Sequence, residues 1–195
     1  MILCILLTDA YAGKHKFQQG EKIILWANKV GPFESPTETY QYFDLPFCQP
    51  KTKDNKPLTL GEVVDGNRIV ATQYDIAFRQ DTSVTTLCKR QLSSDDLAAF
   101  RKAVSKNYYF QFLFDDLPAW GYVGKVVSDE SSSKSKLLLF THFQFELAYN
   151  DDRVIEINVS TDPAKVADIS EGSKDATIEF SYSVVWKESK VKFAK

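Results

Sequence analysis

The chain has 195 residues, 44% of them hydrophobic, and a formal net charge of −2. This is enough apolar content for a real hydrophobic core in one domain. Its 24 Lys and Arg residues are interspersed with 26 Asp and Glu residues, whereas a nucleic-acid surface needs clustered cations. The composition therefore predicts a globular domain and argues against a nucleic-acid partner.

The amino terminus has the pattern of a short signal peptide. Residues 2–7 (ILCILL) are apolar, and residues 10–12 (AYA) match the A-x-A pattern after which signal peptidase cuts. We interpret residues 1–12 as a signal peptide, so that the mature chain begins at Gly13 and lacks Cys4. The apolar stretch is short and has no basic leader, so an ordinary buried strand is the alternative.

The first predicted strand covers residues 22–30 (KIILWANKV), which have strand composition. Gly31, Pro32 and Pro36 then break the pattern, because proline removes a backbone donor and disfavours helix in the residue before it. We expect an ordered turn there. Apolar spacing resumes afterwards at Tyr40, Tyr42, Leu45 and Phe47, just before Cys48.

Two cysteines remain in the mature chain, Cys48 and Cys88. An even number in a chain that enters the secretory pathway favours a disulfide, and two buried reduced thiols are the alternative. Closing a loop of this length stabilises a fold by roughly 4 kcal/mol on the loop-entropy model. Asn158, followed by Val159 and Ser160, is a candidate N-glycosylation acceptor if this region is luminal.

One segment is predicted to be a helix, at about residues 94–106. It begins with the capping residue Ser93 followed by acids, and it ends with bases. Leu97, Phe100 and Val104 lie on one stripe of such a helix, which predicts that this stripe packs on the core.

Strict alternation of apolar and polar residues predicts strands in the second half of the chain. The predicted fold is mainly β: an antiparallel, sandwich-like domain with one packed helix. In the last strand, Trp186 is expected to be largely buried, on the same face as Tyr182 and Val184. A turn at residues 149–153 predicts a hairpin. The alternating runs are residues 108–114, 139–149, 154–159 and 178–186.

The sequence offers few groups for catalysis. There are two histidines, His15 and His142, and no pair of Cys or His residues has metal-ligand spacing. His142 falls on the opposite strand face from Phe143 and Phe145, so it is expected at an exposed or edge position. We therefore expect no enzyme activity, metal or cofactor.

Three acidic pairs are interpreted as capping or turn residues, at positions 95–96, 115–116 and 151–152. The pair Asp115 and Asp116 precedes Trp120 and Tyr122, and a hydrolase that uses either aspartate is a weak alternative. Most aromatic residues are expected inside the sandwich. A surface platform around Trp120 and Tyr122, of the kind that stacks on sugar rings, is the other possibility.

Residues 28–48 read NKVGPF-x-x-P-x-E-T-Y-x-Y-F-x-LPFC. This pattern resembles the luminal-domain signature of the nonaspanins, the transmembrane 9 or endomembrane protein 70 family. Later segments resemble further blocks of the family in the same order, so that the resemblance covers residues 14–187. These segments are residues 60–68, 87–88, 108–110, 115–125, 149–156 and 180–187.

The resemblance implies a luminal domain at residues 13–189, followed by a tail at 190–195, in a family that sorts membrane proteins in the Golgi and endosomes. Family members continue into nine membrane spans, whereas no segment here approaches the roughly 18 to 20 apolar residues of a span. The chain is thus expected to be a fragment or short form.

The implied partners are the membrane-spanning part of the full-length protein and transmembrane cargo. The alternative function is a secreted β-sandwich module that binds carbohydrate or protein. The contact-surface candidates are Gly31, Pro32, Pro36, Asp115, Asp116, Trp120 and Tyr122.

Overall fold

The computed structural model describes residues 15–50, 54–56, 61, 67, 69–128, 135–170 and 176–192. The predicted signal peptide at residues 1–12 and Cys4 lie outside the described residues. The mainly β prediction is confirmed, and α1 (Ser94–Ser105) is the predicted helix. The strands are β1 (Lys22–Ile23), β2 (Leu25–Pro32), β3 (Tyr40–Gln41), β4 (Val70–Ala71), β5 (Ile76–Ala77), β6 (Thr82–Leu92), β7 (Tyr108–Phe114), β8 (Leu117–Tyr122), β9 (Gly124–Ser128), β10 (Ser135–Phe140), β11 (His142–Asn150), β12 (Arg153–Thr161), β13 (Val166–Asp168) and β14 (Ala176–Glu188).

Two larger sheets form the body of the domain. One has the strand order β3-β2-β7-β8, with β4 also paired to β2, and the other has the order β12-β11-β14-β6. A third sheet, β13-β10-β9, and the short pair β1-β5 complete the described strands. The pairs are antiparallel except for β11 and β14, which run parallel. This parallel pair is an exception to the antiparallel arrangement predicted from the sequence.

The core lies between β7 and β11. The inward face of β7 carries Tyr108, Phe110, Phe112 and Phe114, all buried. Phe110 packs edge-on against Phe143 with ring centroids 5.1 Å apart. Each such buried ring removes a large apolar area from water and gains aromatic contacts as well. The period-two pattern of β7 therefore reports correctly which face is inside.

Helix α1 begins with a capping box. The Ser93 side chain accepts from the Asp96 N–H, and the Asp96 carboxylate accepts from the Ser93 N–H. Leu97, Phe100 and Val104 are buried, as the helical stripe predicts. The helix packs on β9 and β10.

The region predicted as one strand at residues 139–149 is two strands in different sheets. The chain breaks at Thr141, whose N–H and hydroxyl both donate to the Lys165 carbonyl oxygen, at 3.2 and 3.0 Å. This contact ends β10 and lets β11 enter the other sheet. The apolar alternation continues in phase across Thr141, so the break has no local signal.

The prediction that His142 is exposed is wrong. Its side chain is buried, and its Nδ1 and Nε2 atoms lie 2.9 and 3.0 Å from the hydroxyl oxygens of Ser181 and Ser183 on β14. Burial lowers the pKa of the imidazole, and the nearby cation of Lys165 lowers it further. The two serines and the loop that carries Lys165 make this face of β11 an interior position.

The prediction for the last strand is met in part. Tyr182 and Val184 are buried, whereas Trp186 is only partly buried. The Trp186 ring packs edge-on against Phe78 with centroids 5.2 Å apart. It lies near the end of β14, where the sheet no longer covers the whole indole.

Replacing Phe112 with Ala should lower the free energy of unfolding by about 3 to 5 kcal/mol, because it leaves a cavity between the sheets. Leu113→Ala is the matched control on the other, partly exposed face of β7, and it should cost clearly less. Urea unfolding measures both values. Equal losses for the two variants would show that the faces of β7 are assigned wrongly.

Candidate functional site

A compact turn follows β2 and projects Phe33 from the domain. The Phe33 N–H donates to the Asn107 carbonyl at 3.2 Å, and the Ser35 and Glu38 N–H groups close successive turns on Pro32 and Ser35. A Cβ on Gly31 would lie 2.2 Å from the Glu38 carbonyl oxygen. Only glycine allows this close approach, so Gly31 is needed to form the turn.

The outer face of β8 presents two aromatic side chains. Trp120 is 51% exposed and Tyr122 is 44% exposed, while Ala119 and Gly121 point inward. A Cβ on Gly121 would lie 2.4 Å from the Phe110 ring, so glycine lets β8 sit directly on the core. The aromatic platform that the sequence left as an alternative is therefore present.

Phe33 and the two β8 aromatics share one concave surface, which we call the aromatic groove. It has a volume of about 370 Å³ and is lined by Phe33, Pro36, Tyr109, Trp120, Gly121 and Tyr122. Phe33 is 57% exposed, and its ring centroid lies 6.0 Å from that of Tyr109 and 6.1 Å from that of Tyr122. The lining residues that the structure describes are aromatic, proline or glycine, and none of them is charged.

The structure brings together only some of the predicted contact residues. Pro36, Trp120 and Tyr122 line the groove, while Gly31 and Pro32 are buried behind it. Three groove residues, Phe33, Tyr109 and Gly121, are not among the contact residues predicted from the sequence. The sequence contains a signal for two of these residues. Phe33 lies within the family signature, and Tyr109 occupies an outward position in the alternation of β7.

Asp115 and Asp116 lie away from the groove. They form the two-residue turn between β7 and β8, and the Tyr109–Tyr122 pair closes the opposite end of this hairpin. Tyr109 lies five residue steps along β7 from Phe114, which is roughly 17 Å. The predicted contact surface is thus divided between the two ends of the β7–β8 hairpin.

The Asp115–Asp116 pair has a structural role as a tight turn. Both residues have positive φ, 47° and 65°, as a type I′ hairpin turn requires. Asp116 forms an ion pair with Lys56. The Asp115 Oδ2 atom is buried without a hydrogen-bond partner among the described residues.

The environment of Asp115 raises its pKa to about 6. Burial is the larger cause, and the adjacent Asp116 carboxylate is the second. The positive charges of His15, Arg153 and Lys56 act in the opposite direction. Asp115 is therefore a turn residue, and ionising its carboxyl group in this environment costs free energy.

Cys48 and Cys88 form a disulfide with Cα atoms 6.0 Å apart. The bond joins the segment after β3 to β6, next to the buried Phe47 ring. Phe47 stacks on Tyr42 at a centroid distance of 4.7 Å. The disulfide therefore fixes an aromatic segment that fills the core between the sheets.

Asn158 is exposed on β12, and its Nδ2 atom donates to the Glu156 carboxylate at 2.8 Å. Its glycosylation stays a prediction. Across the described ranges, no cluster of three or more His, Cys, Asp or Glu side chains could hold a metal ion. The same residues include no helix long and apolar enough to cross a membrane.

Comparison with known proteins decides the family. The sequence model of the Endomembrane protein 70 family matches residues 39–195. The chain belongs to this family. The segment containing β3, both disulfide cysteines and the β7–β8 hairpin therefore lies within the family domain, whereas Phe33 and Pro36 lie just before the matched range.

Curated relatives agree with this assignment. The chain is 47% identical to Transmembrane 9 superfamily member 3 of Arabidopsis thaliana over 94% of its length, and 38% identical to Transmembrane 9 superfamily member 1 of Bos taurus over 98%. It is 32% identical over its whole length to Putative phagocytic receptor 1b of Dictyostelium discoideum. The chain spans about a third of the length of these relatives.

The pKa of Asp115 predicts a pH dependence of stability. Its pKa is about 6 in the folded state against 3.8 ordinarily, so between these values the folded state holds a proton that the unfolded state loses. The contribution of Asp115 to stability should therefore fall as pH rises through this window. Asp115→Asn should gain stability relative to wild type as pH rises from about 4 to about 6.

Urea unfolding of both proteins across this pH range measures the difference. Asp151→Asn is the matched control, because Asp151 is exposed at the two-residue turn between β11 and β12 and also has positive φ, 51°. This variant should show the same pH profile as wild type. A stability difference between Asp115→Asn and wild type that is constant with pH would contradict the assignment.

Proposed function

We propose that this chain is the non-catalytic luminal domain of a nonaspanin and that it serves membrane-protein sorting in the Golgi and endosomes by protein association. The observation that carries the proposal is the aromatic groove. Its rings lie on a rigid sheet edge and an ordered turn, yet three large aromatic side chains stay half exposed. Exposed apolar surface of this kind is typical of a binding site.

Family membership supports the cellular part of the proposal. Relatives carry the names Transmembrane 9 superfamily and, in Dictyostelium discoideum, Putative phagocytic receptor. A luminal location agrees with the Cys48–Cys88 disulfide, because such bonds persist in oxidising compartments. The luminal setting, the signal peptide and glycosylation at Asn158 belong to the same proposal.

Three described residues whose side chains could take part in catalysis have structural roles. His142 is buried between two serines, and Asp115 and Asp116 form a tight hairpin turn. A nucleophile, base and orienting group do not converge at these positions. This supports association rather than turnover as the activity.

The full-length protein carrying Trp120→Ala and Tyr122→Ala should fail to support cargo sorting. It would be expressed in cells that lack the endogenous copy, and surface delivery of a dependent membrane cargo would be measured. Both side chains are exposed, so the double variant should reach normal protein levels.

Val84→Ala is the control, since Val84 is an exposed apolar residue on β6 outside the groove. It should leave delivery unchanged. Normal delivery by the double variant at normal protein levels would refute a role for the groove.

A further inference from the structure

We propose that the aromatic groove binds a proline-rich, extended segment of another polypeptide. The inference rests on the proposed function and names the chemistry of the partner that the groove would recognise. Proline-rich segments adopt the polyproline II helix, which docks into grooves lined with aromatic side chains. The groove here has this composition over its whole surface.

The arrangement of rings suits proline side chains. Trp120 and Tyr122 are on the same face of β8, which places them roughly 7 Å apart. Phe33 stands opposite Tyr122 across the groove, edge-on to Tyr109. The Phe33 ring packs against Tyr109 and Tyr122, so the space for a pyrrolidine ring is the gap between the Trp120 and Tyr122 side chains, where it can contact both.

The free polar atoms of the groove are suited to backbone carbonyls. They are the Trp120 indole N–H and the Tyr109 and Tyr122 hydroxyls, and none of the three is hydrogen-bonded to another described residue. A polyproline II helix has no internal hydrogen bonds, so its carbonyl oxygens are free to accept from these donors.

A sugar is a poorer match for the same surface. Its hydroxyl groups need acceptors as well as donors when they are buried. Among the described residues that line the groove, the only side-chain atoms able to accept are the Tyr109 and Tyr122 hydroxyl oxygens, because there is no carboxylate or amide. The side-chain oxygen of Gln111, the residue paired with Trp120, already accepts from Asn28 Nδ2 at 2.8 Å.

The electrostatics of the groove favour an uncharged segment. A charged side chain would lose water on entering a surface whose described lining residues offer no opposite charge. Proline also lowers the entropy cost of binding, because the free peptide is already extended. An uncharged segment rich in proline satisfies both conditions.

The described terminal segments do not line the groove. Phe17 N–H donates to the Asp152 carbonyl, and Ser189 N–H donates to the Tyr149 carbonyl. Both contacts lie at the β11–β12 turn, and none of these four residues lines the groove.

Binding of a synthetic decaproline peptide to the 195-residue chain tests the proposal. Isothermal titration should show saturable binding, and the tryptophan fluorescence of the chain should change with the same dissociation constant, a change that Trp120→Ala should abolish. Trp120→Ala should weaken binding by at least about tenfold, as loss of a central aromatic contact does. Val84→Ala should bind like wild type.

Chitotriose and an uncharged Gly-Ser peptide of equal length to decaproline are the comparison ligands. Binding of chitotriose in place of decaproline would overturn the proposal in favour of a carbohydrate surface. Equal binding of decaproline by wild type and Trp120→Ala would overturn it too, as would the absence of saturable binding. Circular dichroism of each variant checks that the domain is folded.

The decaproline experiment and the cargo-sorting experiment test separate claims, so that one claim can be refuted while the other stands. If decaproline does not bind but the Trp120→Ala and Tyr122→Ala variant loses cargo delivery, the groove has a sorting role and the proline-rich partner is wrong. If decaproline binds at Trp120 and delivery is unaffected by the variant, the peptide site stands and the sorting role is wrong.

Discussion

The packing of β7 against β11 is the constraint on which the rest of the structure depends. The alternating phenylalanines of β7 must face the other sheet, because Phe110 and Phe112 contact Phe143 and Phe145 across the core. Period-two geometry then fixes the opposite face of the strand. Tyr109 therefore points outward, at the position where the groove forms.

Two glycines connect this core to the groove. Gly121 allows β8 to lie against the Phe110 ring, and Gly31 allows the turn after β2 to fold back on Glu38. Because these two close approaches support Trp120 and Phe33, the aromatic groove is held in place by the core as well as by its own ring contacts. Preorganisation of this kind lowers the cost of binding a partner.

Much of this fold is predictable because its signals are local. The capping residues before Leu97 and the alternation of β7 each specify an element without distant contacts. The break at Thr141 and the burial of His142 depend on the distant residue Lys165 and on two serines of β14, so no local pattern reveals them.

The candidate site is predictable only in part, because it too combines local patterns with contacts between distant segments. Trp120 could be chosen from its strand, but its position opposite Phe33 follows from how a turn packs on a sheet about 90 residues away.

Amide hydrogen exchange of the turn after β2 tests most directly whether the aromatic groove is preformed. The Phe33 and Ser35 N–H groups donate to the Asn107 and Pro32 carbonyls in the absence of any partner. Both amides should therefore exchange much more slowly than those of an unstructured peptide of the same sequence. Exchange at the unstructured rate in the folded domain would show that the groove does not exist before binding, and it would contradict a groove held in place by the core.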